Sequence, residues 1–333
     1  MQNRGWLIGL SIVVGIVLAC AILPLGSFAL LLAVGGSDTS SDVLLSPPRW
    51  QEQRVSGSGL DRIAIIEVNG VIGLNADAGL FGSSQLTQRQ LLSQIRQATD
   101  DSRVKAVVLR VNSPGGGVVA SDEIHSELLK LRDVEKPLIV SMGSVAASGG
   151  YYIAAPADRI YANPDTFTGS LGVIISTINY EEAFEEFGLR QLVYKSGEFK
   201  DIGSPSREPS AQDEAILQSI VDQAYQGFVD VIAEGRDLPR ERVLEIADGR
   251  IYTGQQALDL DLIDELGNLD EALIGAQELA GLEDALIVRY RSADSFRDLL
   301  LGALAQAQEP ADPLGLRSLT QSQGPKLEYR MTP

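Results

Sequence analysis

The apolar positions of the chain fall into one long run and a series of short ones. Residues 6–36 carry no charged side chain. That run exceeds the roughly 20 residues needed to cross a bilayer and the roughly 7–15 of a signal-peptide core. It predicts an N-terminal transmembrane helix, with residues 1–36 as membrane anchor. Arg4 precedes the run, and Asp38 and Asp42 follow it. The positive-inside rule then puts the amino terminus in the cytoplasm and the rest of the chain on the extracytoplasmic side of the cell membrane, as a single-pass protein. Residues 37–60 are rich in Ser, Asp and Pro and read as a juxtamembrane linker.

The short runs begin near residue 61 and alternate in period. Residues 63–69 read as a strand ended by Gly70. Residues 85–99 have helical spacing, with Leu91, Leu92 and Ile95 on one face. Residues 104–111 are nearly continuous in apolar character, as in strands buried on both faces. After a break at 112–117 a helix runs to about residue 131, its core face carrying Ile124, Leu128 and Leu131. Residues 137–142 form the next strand, and a helix opens at Ser148. Strands follow at 159–162, 172–175 and 192–194. Helices follow at 180–187, 214–234, 238–247 and 254–260. The alternation predicts an α/β domain over 61–290, built from repeated strand–strand–helix or strand–helix units. Residues 291–333 read as an extension ending in a polar, flexible tail over 309–333. No internal repeat stands out.

Composition narrows the function. The net charge of −18 argues against a nucleic-acid partner, because phosphate binding needs a basic face. The one cysteine, Cys20, lies within the apolar run and is expected to be buried in the membrane there; no intramolecular disulfide is possible. Nothing resembles a clustered metal-ligand pattern, and no cofactor is expected. The single histidine, His125, falls one position off its helix's apolar stripe and reads as a boundary residue.

The candidate chemistry sits where strands break into helices. Val140 to Ile153 reads as a buried strand that breaks at small residues, with Ser148 at the break. A serine there can project its hydroxyl into a cleft beside the free N–H groups of a helix start, which suit a developing oxyanion. Such serines are more often plain helix N-caps. The neighbours Ala146, Ala147, Gly149 and Gly150 favour a close approach by something else. The glycines at 115–117 follow Asn112-Ser-Pro, so the N–H groups of Gly115 and Gly116 are candidates to face a reacting carbonyl; a plain strand-to-helix turn reads the same way. A base is also needed, and with one histidine the lysines are the better list. Lys195 and Lys200 lie in one loop, and local sequence does not choose between them. Either must be neutral to act, which burial favours. Ser170, in Thr168-Gly-Ser-Leu-Gly172, could orient a neutral lysine or be an ordinary turn serine.

Five segments taken in order resemble the signal peptide peptidase A family, in its short single-domain form. They are Asn-Ser-Pro-Gly-Gly at 112–116, Gly-Ser-Val-Ala-Ala-Ser-Gly-Gly-Tyr-Tyr at 143–152, Thr-Gly-Ser-Leu-Gly at 168–172, Lys-Ser-Gly-Glu-Phe-Lys-Asp at 195–201 and Ala-Asp-Gly-Arg-Ile-Tyr-Thr-Gly at 247–254. The resemblance implies a Clp-protease/crotonase-like fold and a membrane-anchored serine endopeptidase degrading remnant signal peptides. It implies Ser148 as nucleophile, Lys200 rather than Lys195 as base, and Ser170 as the residue positioning that base. It also implies a ring-like homo-oligomer whose sites are shared between neighbours, with hydrophobic peptides as substrates. Two alternatives share these motifs: a related membrane Ser/Lys protease cleaving one partner protein, and a non-proteolytic crotonase-like enzyme. The tail regains apolar side chains at its end, and a peptide groove could hold it as a strand.

Overall fold

The computed structural model describes residues 50–73, 87–291 and 327–330. The expected anchor at 1–36 lies outside the described residues, as do most of the expected linker and extension. Among the described residues, no helix is long and apolar enough to cross a membrane.

In chain order the elements begin with β1 (Gln51–Ser56), β2 (Arg62–Asn69), α1 (Gln88–Asp100), β3 (Val104–Ser113), β4 (Gly115–Gly117), α2 (Val118–Asp133), β5 (Leu138–Ala147) and α3 (Gly149–Tyr152). They continue with β6 (Arg159–Ala162), β7 (Phe167–Gly169), β8 (Ile174–Ile175), α4 (Glu181–Glu186), α5 (Ala211–Gly235), α6 (Arg240–Ile246) and β9 (Ile251–Thr253). The last are α7 (Gly254–Asp259), β10 (Glu265–Leu266), α8 (Leu269–Leu279), β11 (Leu286–Arg291) and β12 (Leu327–Arg330). The class is α/β, as expected.

The main sheet runs β1-β11-β2-β3-β5-β6-β10; off this path β7 pairs with the last three residues of β5, and β9 pairs with β7. Strands β11, β2, β3, β5 and β6 pair in parallel. Alternation along each strand fills two layers. On β2, Ala64, Ile66 and Val68 face the larger core with Leu91 and Ile95 of α1, Ile124 and Leu128 of α2 and Phe228 of α5. Ile63 and Ile65 face the other side, against Ala272 and Ala276 of α8. Each such fully buried Ile or Leu contributes about 1.5–3 kcal/mol of transfer free energy, so the central strands are fixed in register.

A second, small sheet lies apart from the main one, in the order β4-β12-β8, with β12 antiparallel to both neighbours. The tail end is therefore a strand between the Gly-rich turn and β8.

Three boundaries differ from expectation. Residues 51–56 were expected in the linker, but they pair with β11 as an edge strand, and Trp50 beside them is buried. Residues 192–194 form no strand and lie exposed. Helix α5 starts one turn early because Ser210 and Asp213 close a capping box. Helix α8 and strand β11 were not expected at all.

Candidate active site

Strand register brings the two candidate serines together. Ala147 of β5 pairs with Gly169 of β7, so Ser148 and Ser170 follow on adjacent strands. The Ser148 N–H donates to the Gly169 carbonyl at 2.8 Å, and the Ser170 N–H donates to the Arg250 carbonyl at 2.7 Å. Both serines have positive φ, 54° at Ser148 and 51° at Ser170. Side chains other than glycine rarely adopt that conformation, and it persists where surrounding structure enforces it. At Ser148 it turns β5 sharply into α3. The side chain is buried, 1% exposed, yet among the described residues its Oγ has no hydrogen-bond partner. A buried hydroxyl without a partner is costly and is poised for a reacting group or a base.

A helix start adjoins it. The first N–H bonded back along α3 is that of Tyr152, to the Ser148 carbonyl at 2.9 Å. The N–H groups of Gly149 and Gly150 precede it at the helix start. Tyr151 braces α3 from behind, its hydroxyl donating to the Leu262 carbonyl at 2.7 Å.

The Gly-rich turn lies beside α3. Gly115 has φ of 100°, a conformation glycine adopts freely. Its N–H donates to Ser113 Oγ at 3.1 Å. The Ile72 N–H donates to the Gly115 carbonyl at 2.9 Å, and the Gly117 N–H to the Ile72 carbonyl at 3.0 Å. By strand alternation the N–H and C=O of Gly116 then point the opposite way, toward Tyr329 of β12, its register partner. So Gly115 and Gly116 both lie beside α3, with Gly116 paired to β12 and the Gly115 N–H held by Ser113 Oγ. Ser113 was missed in the sequence; its signal was a small hydroxyl two residues before a turn glycine.

Lys195 and Lys200 lie on an arm, residues 178–208, between β8 and α5. Lys195 Nζ is occupied, donating to Asp201 Oδ1 and to the Glu198 carbonyl, each at 2.8 Å. Lys200 is exposed, and its Nζ makes no hydrogen bond or ion pair among the described residues. Within one chain Lys200 is therefore not bonded to Ser148. His125 is half-buried, its ring 5.3 Å from that of Tyr152 in an edge contact. Burial holds its imidazole below the usual value. It is a boundary residue, as expected. Among the described residues no group of His, Cys, Asp and Glu could hold a metal ion.

Residues 130–283 match the model of Peptidase family S49. The chain is 36% identical over 301 residues to the "Putative signal peptide peptidase SppA" of Enterococcus faecium, covering 88% of this chain and 86% of that one. It belongs to peptidase family S49. Within the family it groups with signal peptide peptidase A. It is also 40% identical to the "Putative protease slr0021" of Synechocystis, covering 77% of this chain and 88% of the relative. To Protease 4 of Salmonella typhi it is 34% identical, over 80% of this chain and 44% of the relative. As an S49 peptidase the chain is a serine protease, and the matched region holds Ser148, Ser170 and Lys200.

A cavity of about 490 Å³ adjoins Ser170, lined by Val173, Ile174, Val221 and Tyr225 and by the carboxylates Asp222 and Asp248. Ile174 belongs to β8, which pairs with β12.

Proposed function

We propose that the protein is a membrane-tethered Ser/Lys endopeptidase of Clp-protease/crotonase-like fold. Its substrates are hydrophobic peptides, the remnant signal peptides left in the bilayer after cleavage. The observation that carries the reading is Ser148 itself: a buried hydroxyl without a partner, at positive φ, beside a helix start and a peptide-pairing turn.

A substrate lies extended between β4 and β8, as β12 does, held by backbone pairing to Gly116. Neutral Lys200 removes the Ser148 proton as Oγ attacks the scissile carbonyl. The oxyanion is held by backbone N–H groups at Gly149 and Gly115, the latter turning from Ser113 Oγ. The lysine ammonium passes its proton to the leaving amine, and water then hydrolyses the acyl-enzyme. Ser170 positions the lysine.

Lys200 comes from a neighbouring copy in a ring-like homo-oligomer. The arm supports this. In a single chain it exposes Phe187 at 76%, Leu192 at 76% and Tyr194 at 94%, apolar surface of the kind that marks an interaction site. A membrane anchor confines enzyme and hydrophobic remnant to one surface and raises their effective concentration.

The test is labelling by a fluorophosphonate probe in wild type, Ser148→Ala and Lys200→Ala, with released peptides profiled in membranes carrying each. Labelling and loss of signal-peptide fragments only in wild type is the expected result. Labelling of Ser148→Ala at the wild-type rate would overturn the assignment.

A further inference from the structure

The arm carries an ion network that the mechanism above does not use. Asp201 is the chain neighbour of Lys200. Its Oδ1 accepts from Lys195 Nζ at 2.8 Å and from Arg207 Nη2 at 2.9 Å. Arg207 also donates through Nη1 to Asp213 Oδ2 at 2.6 Å. Asp213 is buried in the first turn of α5, where its Oδ2 accepts from the Ser210 N–H at 2.9 Å. Two cations and two carboxylates thus link the loop to a helix start, and their charges cancel. Lys200 stands next to this network and outside it.

We propose that Lys195 and Arg207 are positioning residues that hold the Asp201 carboxylate away from Lys200, leaving that lysine free to lose its proton and serve as the base. The inference rests on Lys200 being the base. A carboxylate within about 4–6 Å of an ammonium favours the charged form, and the effect grows when docking excludes water. A lysine beside an unpaired aspartate would remain an ammonium and could not accept the serine proton. Here the aspartate is taken twice over, and the two cations hold its carboxyl well below the usual carboxylate range. The pairing explains why the loop has two lysines five residues apart, one bound and one free.

Other charged groups lie near the loop. Glu198 is in the same loop and gives Lys195 only its carbonyl. Glu208 uses its side chain on Asn179. Glu214 of α5 lines the same cavity as Arg207. On the receiving side, Asp248 and Asp222 line the cavity beside Ser170; Asp248 is paired with Arg250, and Asp222 accepts from Gln218 Nε2 at 2.7 Å.

The experiment measures kcat/KM against pH from about 6 to 10 for the full-length protein. Wild type is compared with Lys195→Ala, Lys195→Arg, Asp201→Asn, the double variant Lys195→Ala/Asp201→Asn, and Lys200→Ala. In Lys195→Ala, Asp201 loses one of its two cations and swings toward Lys200. The midpoint of the rising limb is expected to move alkaline by about one pH unit, with the plateau at high pH kept within a few-fold. Lys195→Arg restores the wild-type midpoint, and so does the double variant, which has no carboxylate left to mispair. A Lys195→Ala enzyme slowed equally at every pH, with an unmoved midpoint, would overturn the proposal. So would a double variant whose midpoint stays alkaline. If Lys200→Ala is itself active, the base assignment fails; if Lys200→Ala is dead and the Lys195→Ala midpoint is unmoved, only the present inference fails.

Discussion

A single methyl group at Gly150 tests how closely α3 must approach the Gly-rich turn. A Cβ built there would lie 2.8 Å from the Ser113 carbonyl oxygen and 3.5 Å from Ser113 Cβ. Carbon–oxygen contacts normally begin near roughly 3.3 Å, so Gly150→Ala must push the two segments apart by about 0.5 Å. Neither is a flexible side chain that can step aside. Ser113 is the last residue of β3 and Gly150 the second of α3. Overpacking of this kind costs about 1–3 kcal/mol, which lowers Tm by about 2–4 °C per kcal/mol for a domain of this size. A misplacement of about 1 Å at a reacting group costs about 100-fold in rate, so half of that predicts about a 10-fold loss in kcat. Gly227→Ala is the control. It lies inside α5, where a Cβ meets nothing within 4 Å, and the change should stabilise by about 0.5–1 kcal/mol. Thermal melts and steady-state kinetics on both variants separate local crowding from a generic glycine effect. A Gly150→Ala enzyme with wild-type Tm and kcat would refute the claim that the turn and the nucleophile helix form one close-packed unit.

Other perturbations follow from the same contacts. Deleting residues 327–333 removes β12 from the groove and should lower the apparent KM for peptides, since a tethered tail competes at roughly millimolar effective concentration; an unchanged KM would show that the tail does not compete. Tyr151→Phe leaves the buried Leu262 carbonyl without its donor and should cost about 1–3 kcal/mol in urea unfolding; unaltered stability would contradict the bond. Asp101 and Asp213 have carboxyls held down to about 2, chiefly by Arg103 and Arg207 respectively. A depressed folded-state value means their stabilisation is complete above the unfolded value near roughly 3.9 and is lost as pH falls from there toward 2. Tm should accordingly fall over that window, and less so in Asp213→Asn; identical acid profiles would exclude a contribution from Asp213.

Much of the core was legible because its strands are buried on both faces. Residues 63–69, 104–111, 137–142 and 159–162 read as strands from apolar continuity alone, and all four lie in the parallel sheet. The break at Ser148 was legible from its run of small residues. The pairing of Ser148 with Ser170 was not. It depends on β7, three residues long and paired with the last three residues of β5, and no local pattern specifies such a register. Residues 192–194 mislead for the opposite reason: Leu-Val-Tyr has strand propensity, but propensity needs a neighbouring strand to act on. Helix α8 carried an Asn268–Glu271 capping box that could have revealed it. Local sequence left Lys195 and Lys200 open and only the family resemblance favoured Lys200; among the described residues Lys195 is bonded to Asp201, while Lys200 makes no hydrogen bond or ion pair.

The shared site is the central claim, and mixing two inactive variants tests it most directly. Ser148→Ala and Lys200→Ala subunits, differently tagged, are co-assembled in equal amounts and purified through both tags. In a closed ring each intact Ser148 meets an intact Lys200 only when the correct neighbour supplies it, so random mixing predicts about one quarter of the wild-type activity. Each variant alone should be inactive. Co-assembled mixtures with no activity above either parent would contradict a site built from two chains.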